Sequence, residues 1–338
     1  MTLLSLMLLP IVVFAIWFMF EKRRRQTRPV AGGLHSDISL PHQAAFELYG
    51  NAFSHCSRKT RLVMAELGIP FVHKPIDLIE TGSYQTLSPA YLKVNPSGLI
   101  PTLVHNGRPV YESDDIMAYA VSQAAPGAPL LVPTDAALRK SMDEWIAFGN
   151  LSSNAPTADM EKRIGACVPA LTLPLFITTI RYIPLRRILF GFLFHPDKAR
   201  PMFFSLARVL GLKRMLSLKP IAQMVSSGRR FMAAHLQRID DALARSGGPW
   251  ILGPSFSLAD ITLACVLLRL EETGFLAAYL EKGGLDRISA YYLRLQGRPS
   301  WKAAILDVTH PIIRQGVNDL GQARVRDPEI AQMLGVRD

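Results

Sequence analysis

Ser54 and Cys56 stand two residues apart in the segment SHCSRKTRL, directly ahead of a run with helical spacing. A helix N-terminus carries free N–H groups and a partial positive charge, so a cysteine placed there can gain acidity and act as a thiolate nucleophile. A serine hydroxyl at the same place can donate a hydrogen bond to a thiolate and favour its charged form. Arg58, Lys59 and Arg61 follow closely and would strengthen either effect. The plainer alternative is a capping serine and an inert buried cysteine, and for Cys56 both readings stay open. His55, between the two, reads as a surface or substrate-contact residue rather than a base.

A second group lies where a strand runs into a helix. In PVYESDDIMAYA, Ser113 reads as the N-cap, preceded by Glu112. Such a helix start can receive a ligand carboxylate, while Glu112 can meet an ammonium group. The alternative is a serine that caps its own helix. A third feature is Pro101 after Ile100 in NPSGLIPTLV, at the entry to a strand. The eight histidines are scattered, and none pairs with a cysteine or another histidine at ligand spacing, so no metal site is expected. Gly247-Gly248 and Gly283-Gly284 read as loop glycines rather than a phosphate cradle.

The elements that must position these residues follow from periodicity. AFELYG at 45–50 reads as a strand, 57–67 as a helix closed by Gly68, and 70–78 as a second strand parallel to the first. A short helix at 88–93 precedes LIPTLV and PVYE, two strands joined across Asn106-Gly107, and a helix over 114–124 closes the unit. The order βαβ, α, β, β, α over 44–125 is that of a thioredoxin-like domain. Residues 132–310 read as all-helical, with helices at 136–150, 229–245, 286–297 and 300–307. In SLAD, Ser257 and Asp260 form a capping box ahead of ITLACVLLRL. Residues 311–338 read as a C-terminal tail.

The stretches LYGNAFSHCSRKTRLVMAELGI and VNPSGLIPTLVHNGRPVYESDDIMAYA resemble the N-terminal domain of cytosolic-type glutathione transferases. GPWILGPSFSLADITLACVLLRLE and AYYLRLQGRPSWKAA resemble their helical C-terminal domain, so the likeness covers roughly 45–125 and 230–306. SHCSRKTRL is most similar to the serine/cysteine types, which include the zeta class and the tetrachlorohydroquinone reductive dehalogenases. A more distant resemblance is to the ganglioside-induced differentiation-associated proteins. The resemblance implies a cis bond at Ile100–Pro101, which would turn Ile100 outward to pair with the cysteinyl segment of glutathione. It implies that Glu112 and Ser113 hold the γ-glutamyl group, that Ser54 stabilises the glutathione thiolate, and that Cys56 matches the dehalogenases' cysteine. Leu99 stands where many relatives carry a polar residue that helps hold the tripeptide.

The net charge of +11 in 338 residues would ordinarily raise nucleic acid or an anionic membrane as a partner. Its distribution decides. Residues 21–34 carry +4 and residues 160–230 carry +11, which leaves the rest of the chain at −4. Both basic segments adjoin apolar stretches and lack the polar and aromatic pattern that reads bases, so nucleic acid is not expected. Three cysteines exclude a disulfide scaffold. Thr2 to Phe20 carry no charge and are long enough to span a hydrocarbon core, and EKRRR follows at once. Residues 1–22 therefore read as an uncleaved single-pass anchor, with the soluble domains on the cytoplasmic side, and 23–43 as a flexible basic linker. The insertion at 160–228 is apolar and basic, and its prolines at 169, 174, 184, 196 and 201 predict that no helix runs uninterrupted through it. It reads either as interfacial helices on anionic lipid or as extra core that covers the cleft.

The expectation is a membrane-anchored glutathione transferase that transfers glutathione, its co-substrate, to a small apolar electrophile. The fold would be an α/β thioredoxin-like domain and an all-α domain behind one N-terminal transmembrane helix, with a homodimer carried over from the family. The alternatives are a glutathione-dependent reductase or dehalogenase using Cys56, and a non-catalytic glutathione-binding membrane scaffold.

Overall fold

Five short runs build one five-stranded sheet. The computed structural model describes residues 3–151 and 157–335. In chain order, helix α1 (Leu3–Arg24) is followed by β1 (Gly33–Leu34), β2 (Phe46–Gly50), α2 (His55–Glu66), β3 (Val72–Pro75), α3 (Pro89–Val94), β4 (Thr102–His105), β5 (Arg108–Tyr111) and α4 (Ser113–Ser122). The strand order is β1-β5-β4-β2-β3, with β3 parallel to β2 and every other pair antiparallel. Leu48, Leu103 and Val110 point to one face, where they are fully buried against α2 and α4. Tyr49 points the other way and meets Tyr91 of α3 at 6.2 Å.

The linker at 23–43 is not a flexible tether. Arg28 N–H donates to Pro96 O, β1 pairs with β5, Leu40 N–H donates to Gly107 O, and Arg108 donates to Ile38 O. A sheet edge presents a row of unpaired backbone groups, and the linker satisfies them by adding a strand. Two residues of strand are too short to leave an alternation in the sequence.

The second unit holds α5 (Ala136–Gly149), α6 (Ile164–Thr179), α7 (Leu185–Phe194), α8 (Ala199–Leu216), α9 (Lys219–Arg245), α10 (Leu258–Glu272), α11 (Phe275–Leu280), α12 (Asp286–Gln296), α13 (Pro299–Trp301), α14 (Pro311–Arg326) and α15 (Pro328–Leu334). α10 is the central post, buried on every side from Leu258 to Leu270. Its capping box is present, and the buried Asp260 also accepts from Ile251 N–H at 2.9 Å and Tyr291 O–H at 2.8 Å. That carboxylate is therefore fully satisfied despite its burial.

The insertion departs from expectation. α6 runs straight through Pro169 and Pro174. Each proline costs about 3 kcal/mol in a helix interior. Burying a large aliphatic side chain contributes about 1.5–3 kcal/mol, and α6 buries Ile164, Val168, Leu171, Leu175 and Ile177 against its neighbours. Packing wins. Ile164–Tyr182 is long and apolar enough to cross a membrane, yet it is largely covered by protein, chiefly α9 and α14. The segment read as a tail supplies that cover. α14 approaches α6 so closely that Thr178 Oγ1 donates to Gly316 O at 2.9 Å.

Candidate active site at the domain interface

The strand register gathers the candidate residues at one edge of the sheet. Tyr49 lies opposite Thr102, and Leu103 opposite Val110. The residues after β2, before β4 and after β5 therefore emerge together, with Ile100 between the Ser54 loop and Glu112.

Ser54 is the N-cap of α2, with extended backbone, and its Oγ accepts from Ser57 N–H at 3.3 Å. The capping alternative holds, but it uses only an acceptor lone pair, so the hydroxyl proton is still available to a sulfur. Cys56 is half-buried in the first turn of α2. Burial pushes this thiol up and the charges of Asp114 and Glu112 add to that, while Lys59 and the nearby Ser113 hydroxyl pull it back, and burial prevails. The gain in acidity expected from the helix start is thus outweighed. His55 is buried rather than at the surface. Burial, then the charges of Lys59, Arg269 and Arg58, hold its pKa well below the ordinary value, so the ring is neutral.

Lys59 is the residue whose role spacing did not reveal. Its Nζ is buried and donates to Asp114 Oδ1 at 2.5 Å and to Asn150 Oδ1 at 2.6 Å, while Asn150 Nδ2 donates to Asp114. One ammonium thus ties α2, α4 and the end of α5. The two domains are also joined by Arg58, whose guanidinium forms a two-pronged pair with Glu272 at 2.9 and 2.5 Å, and by Arg61, which donates to Ala304 O at 2.8 Å. Arg58, Lys59, Arg61 and Arg269 are all buried here, against the two carboxylates Glu272 and Asp114. Cys56 therefore sits between the cation Lys59 on its own helix and the carboxylates Asp114 and Glu112 at the start of α4.

The Ile100–Pro101 bond is cis. Leu99 O is held by Tyr91 O–H at 2.6 Å and Asn95 Nδ2 at 3.0 Å, whereas the N–H and C=O of Ile100 have no partner among the described residues. Glu112, not Ser113, is the N-cap of α4, at φ 61° and ψ 131°. That left-handed backbone is uncommon for a residue with a Cβ and places a strained turn at the site. Ser113 is the first helical residue and its side chain faces Cys56. Burial and the neighbouring Asp115 and Asp114 raise the Glu112 carboxyl, so the helix start is an acidic cluster above free backbone N–H groups. The linker borders it. A Cβ on Gly32 would meet Asp115 Oδ2 at 2.1 Å and Glu112 Cγ at 3.2 Å. Sequence reasoning did not place the linker here.

A cavity of about 440 Å³ lies between α4 and α5, with Asp114 and Asn150 at one end and Met117, Val121, Met142 and Ile146 along its wall. On the other side, the insertion packs on the 78–87 loop. Ile79, Tyr84 and Leu87 share a core with Ile177, Ile188 and Phe204, and Phe176 meets Phe53 edge-on at 5.8 Å. Of the second reading of the insertion, extra core that covers the cleft, the core part describes α6 and the inner faces of α7 and α8, while none of these helices lines the cavity between α4 and α5.

Residues 53–123 match the family described as glutathione S-transferase, N-terminal domain, and residues 229–294 match glutathione S-transferase, C-terminal domain. The chain is similar to a tetrachloro-p-hydroquinone reductive dehalogenase of Sphingobium chlorophenolicum, with 24% identity over 265 residues that cover 76% of this chain and 94% of that protein. It is also similar to the human ganglioside-induced differentiation-associated protein 1-like 1, with 24% identity over 281 residues that cover 77% and 74%. Among solved structures, a beta-etherase from Sphingobium superposes with a TM-score of 0.62 at 19% identity, covering 78% of this chain and 100% of that one. This last likeness shows the fold: a thioredoxin-like sheet domain joined to a helical domain.

Proposed function

We propose, for a chain that carries the N- and C-terminal domains of the glutathione S-transferase family, a membrane-anchored glutathione transferase. The carrying observation is the unpaired main-chain edge of Ile100, set between the Ser54 loop and the acidic start of α4. An extended tripeptide pairs its cysteinyl N–H and C=O with that edge. Its ammonium group meets Glu112, and its γ-glutamyl carboxylate takes the free N–H groups and the hydroxyl of Ser113. The sulfur then lies over the start of α2, where the Ser54 hydroxyl donates a hydrogen bond to the thiolate and the buried cations favour negative charge. The thiolate attacks an electrophilic carbon of an apolar substrate held between the domains. A carbon–sulfur bond forms, and a leaving group such as halide departs.

A second reading rests on Cys56. It stands in the first turn of α2 beside the start of α4: its thiolate attacks the sulfur of a glutathione–substrate conjugate, the carbon–sulfur bond breaks, the carbon takes the electron pair and a proton, and a second glutathione reduces the resulting Cys56–glutathione disulfide. The test is turnover of an aryl halide with glutathione by the 338-residue chain. The transferase reading expects Ser54→Ala to lose most activity and Cys56→Ala to retain it. The reverse pattern moves the reaction to Cys56. Undetectable turnover in the wild-type chain rejects both.

The anchor is part of the proposal. In α1, the side chains from Leu9 to Phe20 are exposed around the whole circumference except at Phe18, as in a helix whose solvent is lipid. The basic run after Phe20 orients the domains to the cytoplasmic face. Protease added to sealed vesicles should cut the domains only from that face, and cleavage from the opposite face would reject the orientation.

A further inference from the structure

α7 and α8 are apolar on two opposite faces, and only one of these has a partner in the protein. The inner faces, with Ile188 and Phe194 of α7 and Phe204 and Ala207 of α8, are buried. The outer face of α7 shows Leu185, Leu189, Phe192 and Leu193, spaced along one side of the helix, each 40% exposed or more. The outer face of α8 shows Met202, Leu206 and Val209 at the same spacing, with Val209 76% exposed. α7 and α8 pack on each other, so these side chains flank a single hairpin. Seven exposed large apolar side chains on one packed helix pair mark an interaction site.

The foot of α1 stands on this hairpin. Trp17 and Phe18 meet Phe194 at 6.5 and 5.8 Å, and the Arg25 guanidinium lies over the rings of Phe190 and Phe194 at 5.2 and 5.3 Å. Glu21 holds Arg25 and Arg24 at 2.8 and 2.9 Å, which fixes the exit of α1 relative to α7. Beside that exit lies a basic pocket of about 600 Å³, whose lining includes Arg23, Arg24, Arg28, Lys93 and Pro96. Arg23, Arg28 and Lys93, like Arg186 and Arg208 on the hairpin, make no ion pair among the described residues. Apolar side chains rimmed by free cations, continuous with an apolar helix, match the depth profile of an anionic bilayer: acyl chains inside, phosphate outside.

We propose that the α7–α8 hairpin lies in the surface of the bilayer that α1 spans, with its outer side chains among the acyl chains and the Arg23–Lys93 pocket on lipid phosphate. The inference rests on the anchor reading above and adds a second attachment to it. Two attachments fix the tilt of the domains, so the wall that α6–α8 build beside the active site faces lipid, the phase in which an apolar electrophile concentrates.

The experiment uses the full chain in vesicles of phosphatidylcholine and phosphatidylglycerol, with and without brominated acyl chains, which quench nearby tryptophan. The difference between the native chain and Trp17→Phe reads the anchor. Leu189→Trp and Val209→Trp read the two outer faces, and Leu293→Trp, exposed on α12, reads a surface away from the hairpin. The proposal expects brominated lipid to quench the emission contributed by Trp17 and by the new residues at 189 and 209, and to leave that at 293 unchanged. Quenching of Trp17 without loss at 189 and 209 overturns the hairpin contact while the anchor stands. Blue-shifted but unquenched emission at 189 and 209 overturns it in favour of a protein partner. Absence of quenching at all positions removes the anchor and this proposal together. Arg23→Gln with Lys93→Gln should lessen quenching at 189 in the anionic vesicles, and an unchanged value would contradict the role given to the basic pocket.

Discussion

Ser54→Ala removes two duties of one hydroxyl, and the structure allows them to be separated. The lone pair of Ser54 Oγ caps α2 through Ser57 N–H. Losing a serine cap costs about 0.5–2 kcal/mol of stability. The hydrogen of the same hydroxyl is the donor of the hydrogen bond that the proposed mechanism makes to the glutathione thiolate. A hydrogen bond to a charged group contributes about 1.5–3 kcal/mol, which corresponds to a thiol pKa lowered by roughly 1–2 units. The sign follows directly. The bond favours the thiolate, so removing it raises the pKa of bound glutathione. Activity at neutral pH should fall roughly 10- to 100-fold, and the rising limb of kcat/KM against pH should move up by about 1–2 units. Ser54→Asp keeps a good capping acceptor but brings a negative charge and no proton at neutral pH. It should retain the thermal midpoint of the wild type and lose at least as much activity as Ser54→Ala. A Ser54→Ala protein whose midpoint falls while its pH profile stays in place would refute the reasoning and leave Ser54 as a cap alone.

Lys59→Met should raise the already elevated pKa of Cys56, because Lys59 is the first of the groups that lower it; the rate of alkylation of Cys56 against pH should shift to higher pH. The same variant leaves Asp114 without its ammonium partner, and losing one member of a buried pair costs up to about 3–5 kcal/mol, less here because Asp114 is 44% exposed; thermal unfolding checks this. Burial followed by the charge of Arg61 pulls His73 down to about 4, so the folded chain binds fewer protons than the unfolded chain between about pH 6.5 and about 4. Stability therefore falls as pH drops through that window, and His73→Gln should flatten the fall in a denaturant series. In Gly316→Ala, the new Cβ would lie 2.5 Å from Thr179 Cγ2, so α14 must move off α6 and the thermal midpoint should drop, by about 1–3 kcal/mol of stability.

Much of the sheet domain was legible because its signals are local. The period-2 strands, the Asn106-Gly107 turn and Gly68 after α2 each encode their own geometry within a few residues. The residues gathered at the site followed from that order. What remained hidden depended on contacts between distant segments. Lys59 is visible in the sequence only as a cation close to Cys56; its bonds to Asp114 and Asn150, 55 and 91 positions away, exist only in the folded chain. His55 looks like a loop histidine until α10 covers it. The two prolines of α6 argue for a break, and only the packing of α9 and α14 shows why the helix continues. Two-residue β1 and the ordered linker have no periodic signature, because an edge strand this short is specified by the strand it joins. The second helix start was offset by one residue for a similar reason: Ser113 has the composition of an N-cap, but the positive φ of Glu112 decides where the helix begins.

The central claim is that this sheet edge binds glutathione through the start of α4. Calorimetric titration of the 338-residue chain with glutathione, compared with Glu112→Gln, tests it most directly. Glu112 has no side-chain cap bond to lose, so the substitution removes charge from the ligand site and little else. The account predicts saturable binding to the wild-type chain and a Kd weakened roughly tenfold or more in Glu112→Gln, the loss of one charge-assisted contact. Absence of binding to the wild-type chain, or equal binding by both proteins, would contradict it.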